Sequence, residues 1–361
     1  MGSDFELLRQ LSEAVAVSGD EGAVRKIVLA EIEGHADEIQ VDAVGNVLAR
    51  KTGRGRRRAR TARLKAMVAA HMDEVGFMVM GIGGDGTLIV EAVGSVDERQ
   101  WLGKPVWVGA NKTPGVIGAK PVHLMDAAES EKVVKLDALR VDIGASSLET
   151  AKSQVKIGDR GTFASSFTSL GPTIRGKALD DRLGCVTLIE LLRGEPLAVD
   201  LYAAFTVQEE VGLRGAQVAA YAFDPDAAFA LDVVPANDLP GSDGEENVTY
   251  NTRLGAGAAI YVADGRTLHS RPLVNHLIKT AEAAGIPYQL RQPGGGSTDA
   301  AAIQLAREGI PVAAVSTPGR YLHTAFALVN LEDWRNTVRL VREALNTLSL
   351  ASLKMHFENR R

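Results

Sequence analysis

The sequence predicts an α/β protein in which helices flank a sheet and a small β domain is inserted. After Gly176, apolar runs of strand length alternate with stretches of helical periodicity, the pattern of a sheet covered by helices. Between Phe77 and Thr173 the chain is instead rich in Gly and Val and poor in helical periodicity. The 361 residues, 45% of them hydrophobic, suffice for two domains of ordinary size.

The segment before the insertion predicts two helices and three strands. Apolar residues at helical spacing indicate the helices, and short apolar runs indicate the strands. The helices are expected near residues 5–17 and 24–32, and the strands at 40–42, 46–49 and 66–70. A turn at Gly45-Asn46 joins the first two strands, and the third leads directly into His71.

The insertion and the segment after it differ in periodicity. Within the insertion, turns separate short strands, as in a small barrel or sandwich, at 87–90, 105–108 and 115–118. The later strands are expected at 203–207, 227–234, 288–291 and 310–315, and the later helices at 183–192, 273–284 and 334–348. We therefore expect the main sheet to combine segments from both sides of the insertion.

Charge and cysteine content restrict the partners and the location of the protein. The formal net charge of −5 argues weakly against nucleic acid as the main partner. Cys185, the only cysteine, lies on an apolar helical stretch and cannot form an intrachain disulfide, which fits a reducing cytoplasm. The first residues lack the pattern of a secretory signal, and no uncharged apolar run approaches the roughly 18 residues of a membrane span. We expect a soluble cytoplasmic protein.

A basic run extends from Arg54 to Lys65. A solvated hairpin loop is the favoured interpretation, because charge runs of this kind usually face water. Contact with nucleic acid is the alternative, but no aromatic residue interleaves the run to stack on bases. The role of this run stays open at the level of sequence.

Paired carboxylates at the end of a predicted strand are the strongest functional signal. Glu209 and Glu210 follow the apolar run 201–207. Two adjacent acids are costly to bury without partners, and bound cations remove that cost. Other segments carry further metal-binding side chains, namely His71, Asp180, Asp232 and His323. Because strand ends in an open α/β sheet meet at one edge, we expect these residues to converge, and histidines with carboxylates favour a two-metal hydrolase.

The acids divide into expected ligands and one remaining carboxylate. Asp180, Glu210 and Asp232, together with one hydroxide, would balance the charge of two divalent cations. Glu209 is left without a ligand role and is suited to act as general base toward a metal-activated water. Asp73, two residues after His71, can accept a hydrogen bond from the second ring nitrogen of that histidine.

Each signal taken alone has a structural interpretation. A single histidine is more often structural than a ligand, Asp180-Asp181 could cap a helix, and Glu209-Glu210 could end a strand in solvent. The combination of these signals on successive strands favours a site. The other histidines have no comparable context and are predicted to be structural: His35, His123, His269, His276 and His356.

A glycine-rich segment, residues 294–299, lies between a predicted strand and a predicted helix. It is either a tight turn that ends in a helix N-cap or a loop whose backbone holds substrate. It lacks the lysine of a phosphate-binding P-loop, so we do not expect nucleotide binding.

Together these residues resemble the di-metal aminopeptidases that assemble into tetrahedral (TET) particles. That family includes glutamyl and deblocking aminopeptidases and relatives labelled endoglucanases. The resemblance covers nearly the whole chain. Its motifs are Asp42-x-x-Gly45-Asn46, Ala70-His71-Met72-Asp73-Glu74-Val75-Gly76, Gly115-Val116-Ile117-Gly118-x-Lys120-Pro121-x-His123, Asp142-Ile143-Gly144-Ala145, Lys177-Ala178-Leu179-Asp180-Asp181-Arg182, Gln208-Glu209-Glu210-Val211-Gly212-x-Arg214-Gly215-Ala216 and Ser297-Thr298-Asp299-Ala300.

The resemblance implies a metal-binding role for five residues. His71 and Asp232 are expected to bind one metal. Glu210 and His323 are expected to bind the other, with Asp180 bridging the two. The implied cofactor is two divalent ions per chain, with zinc or cobalt favoured, although nitrogen and oxygen ligands suit manganese as well.

The same resemblance implies the fold and the remaining roles. Glu209 is expected to be the general acid/base and Asp73 to support the first histidine. Residues 1–75 and 174–361 are expected to form a phosphorylase/hydrolase-like catalytic domain, and residues 76–173 a PDZ-like β domain used in assembly of a homo-oligomer, a dodecamer or a dimer. One departure follows His323, where residues 325–329 are more apolar than is usual in the family.

We therefore expect a metal-dependent aminopeptidase that removes N-terminal residues from short peptides, with no nucleic-acid or membrane partner. A water activated by two metals would attack, with a glutamate as base. A deacylase or glycosidase on the same metals is one alternative, although glycosidases usually use a carboxylate pair without metal. A peptide-binding shell protein with a decayed site is the other, and the full ligand set disfavours it. The preferred N-terminal residue stays open.

Overall fold

The computed structural model describes residues 3–54, 63–239, 251–292 and 294–353. Two parts of the sequence discussed above lie outside the described residues. One is His356, and the other is most of the basic run, including Arg56, Arg57, Arg58 and Arg60. Arg63, within the described part of the run, forms an ion pair of 2.6 Å with Asp200. Among the helices of the described ranges, none has the length and apolar character needed to cross a membrane.

The described segments form a large mixed sheet, a closed barrel and helices that cover the sheet. The helices are α1 Ser3–Glu13, α2 Gly22–Ile32, α3 Ala127–Ser130, α4 Leu148–Lys152, α5 Leu179–Arg193, α6 Arg214–Phe223, α7 Arg271–Ala284, α8 Ala300–Ile303, α9 Leu331–Thr347 and α10 Leu350–Leu353. Short 3₁₀ turns occur at Glu98–Gln100, Val122–Leu124 and Leu136–Ala138.

The strands belong to the sheet or to the barrel. They are β1 Glu38–Val41, β2 Val47–Lys51, β3 Lys65–His71, β4 Gly76–Ile82, β5 Leu88–Val93, β6 Pro105–Val108, β7 Thr113–Gly118, β8 Arg140–Asp142, β9 Arg160–Phe163, β10 Thr168–Leu170, β11 Thr173–Gly176, β12 Asp200–Thr206, β13 Ala227–Pro235, β14 Ala258–Tyr261, β15 Tyr288–Arg291, β16 Val312–Arg320 and β17 Ala327–Asn330.

The centre of the large sheet is parallel. The strand order is β1-β2-β12-β3-β13-β16-β17-β11-β10, and β14 pairs with both β15 and β16. Strands β12, β3, β13 and β16 run parallel to one another, and nearly all their side chains are buried. Burial on both faces explains why these strands read as continuous apolar runs in the sequence. Their carboxyl ends lie at one edge of the sheet.

Alternate residues of β3 enter different hydrophobic cores. Ala66, Val68 and Ala70 pack with residues of α1, α2, α5, α7 and α9. Met67 and Ala69 pack with residues of α6 and α8. Since successive side chains of a strand point to opposite faces, these two cores lie on opposite faces of the sheet. The predicted α/β fold with helices flanking the sheet is confirmed.

The inserted strands close into a barrel in the order β4-β5-β8-β7-β6-β9. Its core contains Trp101, whose ring centroid lies 6.2 Å from that of Phe77 and 5.1 Å from that of Phe163. The sequence left barrel and sandwich open, and the structure has the barrel. After Phe163 the chain returns to the large sheet, where β11 pairs with β17. The domain boundaries at 76 and 173 stay a prediction.

Candidate metal centre

The parallel strands carry predicted site residues to one edge of the sheet. His71 is the last residue of β3, and Asp232 lies within β13. Glu209 and Glu210 follow β12, which pairs with β3, and His323 follows β16, which pairs with β13. Adjacent parallel strands thus place residues that are far apart in sequence next to one another.

Five of the predicted side chains form two overlapping groups. Ligand atoms of His71, Asp180 and Asp232 lie within 4.8 Å of one another, and so do those of Asp180, Glu210 and His323. Asp180 belongs to both groups: Oδ1 lies 3.2 Å from Nε2 of His71, and Oδ2 lies 3.6 Å from Nε2 of His323. Nε2 of His323 also lies 3.2 Å from a carboxylate oxygen of Glu210.

The donor set fits two divalent cations. Two imidazoles and three carboxylates without a thiolate suit zinc, cobalt or manganese. One carboxylate shared between two groups is the arrangement expected when two ions are neighbours. Burial raises the pKa of Asp232 well above its usual range, and the charges of Asp180 and Glu209 add to this effect. Cations at this position would relieve the repulsion among these acids.

The two histidines already lie where positive charge is favoured. Burial alone would raise the pKa of Asp180, but contacts with His323 and His71 outweigh it and hold that pKa below its usual range. Burial would lower the pKa of His323, yet its contacts with Asp180 and Glu210 raise it to about 11. The carboxylates therefore create a strongly cation-attracting position.

Glu209 stands apart from both groups although it lines the same cavity. Within the described ranges, no hydrogen bond or ion pair reaches its carboxylate. Burial raises the pKa of Glu209 well above its usual range, and the neighbouring charges of Asp299 and Glu210 act in the same direction. A carboxylate in this environment is available to accept a proton within the cavity.

Asp73 supports the site differently from the hydrogen bond that the sequence predicted. Nδ1 of His71 lies 3.1 Å from the main-chain oxygen of Asp73 and 3.6 Å from its carboxylate. The buried carboxylate instead accepts hydrogen bonds from the amides of Glu209 and Glu210, at 3.0 and 3.1 Å, and from the Ser18 hydroxyl at 2.6 Å. These three donors satisfy a carboxylate that has no access to water. Asp73 therefore holds the turn that carries both glutamates.

Asp180 and Asp181, two adjacent residues at the start of α5, have different partners. Asp180 joins the ligand groups. Asp181 accepts a hydrogen bond of 2.9 Å from the amide of Gly184, so the capping interaction considered for this pair belongs to Asp181. Cys185 is buried, and burial raises the pKa of its thiol to about 12, as expected for an inert core residue.

The ligand groups open into a cavity of about 540 Å³. Arg266, Arg291 and Tyr261 also line it. The guanidinium of Arg291 lies 4.7 Å from the centroid of the Tyr261 ring and donates to the carbonyls of Ala263 and Gly295, at 2.9 and 2.6 Å. No carboxylate in the described segments forms an ion pair with Arg291, which is 4% exposed. The cavity therefore contains fixed positive charge as well as the acidic groups.

The glycine-rich segment precedes α8 and lies in the cavity wall, and its predicted contact with substrate stays a prediction. Gly295, Gly296 and Ser297 line the cavity. The Thr298 hydroxyl accepts a hydrogen bond of 3.2 Å from the amide of Ala300, at the start of α8. The segment is both a turn before a helix and part of the cavity wall.

Sequence reasoning missed two contributions to the site. The arginines were not singled out, because an isolated Arg in a strand or loop has no distinctive pattern. The other is the main-chain oxygen of Ser95, which accepts a hydrogen bond of 2.9 Å from Nδ1 of His323. Main-chain atoms leave no signature in the sequence, so no signal existed that could have revealed this contact.

Comparison with known proteins identifies the family. A profile of the M42 glutamyl aminopeptidase family matches residues 45–340. The lysyl aminopeptidase of Pyrococcus furiosus is 35% identical over 96% of this chain and 97% of its own. A TET aminopeptidase from a marine-sediment Thaumarchaeota archaeon is 35% identical, with a TM-score of 0.91 over 98% of this chain and 99% of that chain.

A third relative concerns assembly. The TET1 peptidase of Pyrococcus horikoshii, which can assemble into a tetrahedron or a large octahedral shell, is 34% identical. It matches with a TM-score of 0.84 over 96% of this chain and 100% of that chain. The resemblance to TET aminopeptidases that the motifs indicated is confirmed, and the chain belongs to the M42 family of metal-dependent aminopeptidases.

Proposed function

We propose that this protein is a two-metal aminopeptidase acting on short peptides. The observation that carries the proposal is the pair of ligand groups that share Asp180, with Glu209 in the same cavity but outside both groups. Each group would hold one divalent ion, zinc or cobalt before manganese. Five ligand side chains and one unoccupied carboxylate are the set that such a reaction needs.

The residues of the chain divide the chemical work. When bound, the two ions would polarise the scissile carbonyl and lower the pKa of the attacking water. Glu209 would take the proton of that water and deliver it to the departing amine. Asp73 holds the amides of Glu209 and Glu210, so it orients the base and one ligand together. A nearby carboxylate or an ion would hold the free α-amino group of the peptide.

We propose that residues 1–75 and 174–361 form the catalytic domain and residues 76–173 the assembly domain. The shells formed by the Pyrococcus horikoshii relative support a homo-oligomer, and a dodecamer is the state we expect. In a closed particle, access would limit the length of the peptide before the cavity does. The single, buried cysteine is compatible with a reducing cytoplasm, which stays our expectation for its location.

Aminoacyl-p-nitroanilides with free and with acetylated amino groups test the reaction class. We expect hydrolysis only when the α-amino group is free, together with two ions per chain in metal analysis of the same sample. Release of acetate from the blocked substrates would favour a deacylase, and release of sugar from a glucan would favour a glycosidase. Binding of peptides without hydrolysis by metal-loaded protein would favour a decayed shell component.

A further inference from the structure

The loop that carries His323 has a backbone conformation that other parts of the molecule must hold. It connects the end of β16 at Arg320 with the start of β17 at Ala327. Tyr321 and His323 have φ angles of +61° and +56°. Residues other than glycine adopt this left-handed backbone conformation only when their surroundings favour it. The support of this loop therefore decides where a ligand of the metal centre lies.

The barrel supplies support at three points. The carbonyl of Ser95, in the segment after β5, accepts a hydrogen bond of 2.9 Å from Nδ1 of His323. The hydroxyl of Ser165, just after β9, donates to the main-chain oxygen of Ala325 at 2.5 Å. The Ala325 side chain is 3% exposed and packs in the hydrophobic core of the barrel. The barrel thus contacts the loop on both sides of Thr324.

The segment that carries Ser95 is itself fixed by close packing. Gly94 has a φ of +80°, and a Cβ built on it would lie 2.8 Å from Cγ1 of Val75 and 3.4 Å from Cβ of Glu210. Only glycine fits this conformation and this spacing without displacement. The same barrel segment therefore bonds to His323 and lies close to Glu210, a second residue of that ligand group.

The hydrogen bond from His323 also fixes the chemistry of its ring. A carbonyl can only accept, so Nδ1 carries the proton. In the neutral ring, Nε2 then presents its lone pair toward Asp180 and Glu210, as a metal ligand must. In contrast, Nδ1 of His71 is bonded to the main chain of Asp73, outside the barrel strands. The two ligand groups therefore differ in their dependence on the barrel.

We propose that the barrel is a structural part of the metal centre. Ser165 and the segment 94–95 position His323, so the cation affinity of the group formed by Asp180, Glu210 and His323 depends on how the barrel contacts the loop. This inference rests on the two-metal function proposed above. Residue 325 is small and apolar, as its place in the barrel core requires.

Ser165→Ala tests the proposal, because it removes one support and keeps every ligand. In solutions of buffered free zinc, we expect one of the two ions of each chain to bind roughly tenfold more weakly, while the other keeps its affinity. His323→Ala identifies which ion belongs to this group. Ser165→Thr retains the hydroxyl and is expected to restore binding. Ser166→Ala, at the exposed neighbouring position, is the matched control and should bind both ions normally.

A second pair of variants tests the other contact. Gly94→Ala should weaken the same ion, whereas Ser95→Ala keeps the accepting carbonyl and should not. The unfolding temperature of each metal-free variant separates local from general effects. Unchanged affinity for both ions in Ser165→Ala, or equal weakening of both, would overturn the proposal. Fewer than two ions in the wild-type protein would instead contradict the two-metal function itself.

Discussion

At the scale of single residues, two adjacent glutamates have different environments. Glu210 lies 3.2 Å from Nε2 of His323 and belongs to a ligand group. In the described ranges the Glu209 carboxylate has no bonded partner, although both backbone amides donate to the same Asp73 carboxylate. The single buried carboxylate of Asp73 therefore holds the backbone of two neighbouring residues whose side chains have different surroundings.

Glu209→Gln removes the proposed proton acceptor while keeping its shape. We expect kcat to fall by roughly 10²–10⁴-fold, because proton transfer to a positioned base contributes about that much. Both ions should remain, since Glu209 belongs to neither ligand group. Initial rates on an aminoacyl-p-nitroanilide and metal analysis of the same sample measure both effects. Glu91→Gln, exposed on β5, is the control, and a nearly normal rate in Glu209→Gln would exclude Glu209 as base.

The arginines of the cavity predict its preference for N-terminal residues. Among the described residues, neither Arg266 nor Arg291 has an ion pair with a carboxylate. A substrate carboxylate can pair with them, whereas an ammonium is repelled. We expect kcat/KM for a glutamyl-p-nitroanilide to exceed that for a lysyl one by about tenfold or more.

Arg266→Gln should lower the ratio of kcat/KM for the glutamyl substrate to that for the lysyl substrate. Arg271→Gln, at an exposed residue at the start of α7, is the control and should leave that ratio unchanged. Rates on the two substrates with each variant measure the effect. Equal rates on glutamyl and lysyl substrates in the wild-type protein would show that the arginines do not select the side chain. That result would leave the proposed reaction untouched.

At the scale of elements, a buried ion cluster joins the segment between β3 and β4, the residues around the start of α5 and the barrel. Both carboxylate oxygens of Glu74 lie 2.8 Å from Nζ of Lys177, and one lies 3.4 Å from a guanidinium nitrogen of Arg182. The hydroxyl of Thr162, on β9, donates to Glu74 at 2.9 Å. Because all these groups are buried, each charge depends on the others.

Lys177→Met removes one charge from this cluster and leaves Glu74 with weaker compensation. We expect the free energy of unfolding to fall by about 3 kcal/mol, the cost of breaking a buried ion pair from one side. Urea unfolding of the metal-free protein measures it without a contribution from bound ions. Lys152→Met, exposed at the end of α4, should change stability little. A similarly small change in Lys177→Met would show that Arg182 alone compensates Glu74.

The same lysine predicts a pH dependence of stability. Burial lowers the pKa of Lys177 from 10.5 to about 8, although Glu74 opposes the shift. Between these two values the unfolded chain binds more protons at this group than the folded protein, so the group makes stability rise with pH. The difference in unfolding free energy, wild type minus Lys177→Met, should therefore increase across that range. A difference that stays constant would contradict a lowered pKa.

At the scale of the whole molecule, we expect ion binding and folding to be coupled. The proposed ligands come from five segments of chain, and the loop that carries His323 connects two strands of the sheet and contacts the barrel. An ion that binds this arrangement and not the unfolded chain stabilises the fold by mass action. Occupancy of the site and stability of the fold should therefore change together.

Treatment with a chelator such as EDTA tests this coupling. We expect hydrolysis to stop and the unfolding temperature to fall, and zinc or cobalt should restore both. Activity on an aminoacyl-p-nitroanilide and thermal unfolding of the same samples provide the measurement. Undiminished activity after complete removal of metal would exclude the two-metal reaction.

The parallel centre of the fold could be predicted because its strands are buried on both faces. The runs 66–70 and 201–207 are therefore mostly apolar, and the side chains that follow them could be predicted to share one candidate site. Closure of the barrel could not be predicted, because pairing such as that of β4 with β9 joins strands far apart in sequence. Short strands with turns are compatible with either a barrel or a sandwich.

Within the site, some contributions of side chains could be predicted from the sequence, whereas contributions of main-chain atoms could not. The five residues of the two candidate ligand groups could be named from their types and positions. The role of Asp73 was only partly predictable, because the amides that its carboxylate binds follow a different strand. The carbonyl of Ser95 could not be predicted, since 228 positions separate it from His323 and any residue supplies a carbonyl.

The barrel begins on β4 and finishes on β9, and these two strands are hydrogen-bonded neighbours, with Phe77 opposite Gly161. The chain therefore enters the barrel and leaves it through two adjacent, hydrogen-bonded strands. For the folding of the large sheet, the barrel segment from β4 to β9 acts as a single loop. The entropic cost of closing such a loop grows only slowly with its length. Changes in the length of this segment are therefore expected to leave the connectivity of the parallel strands unchanged.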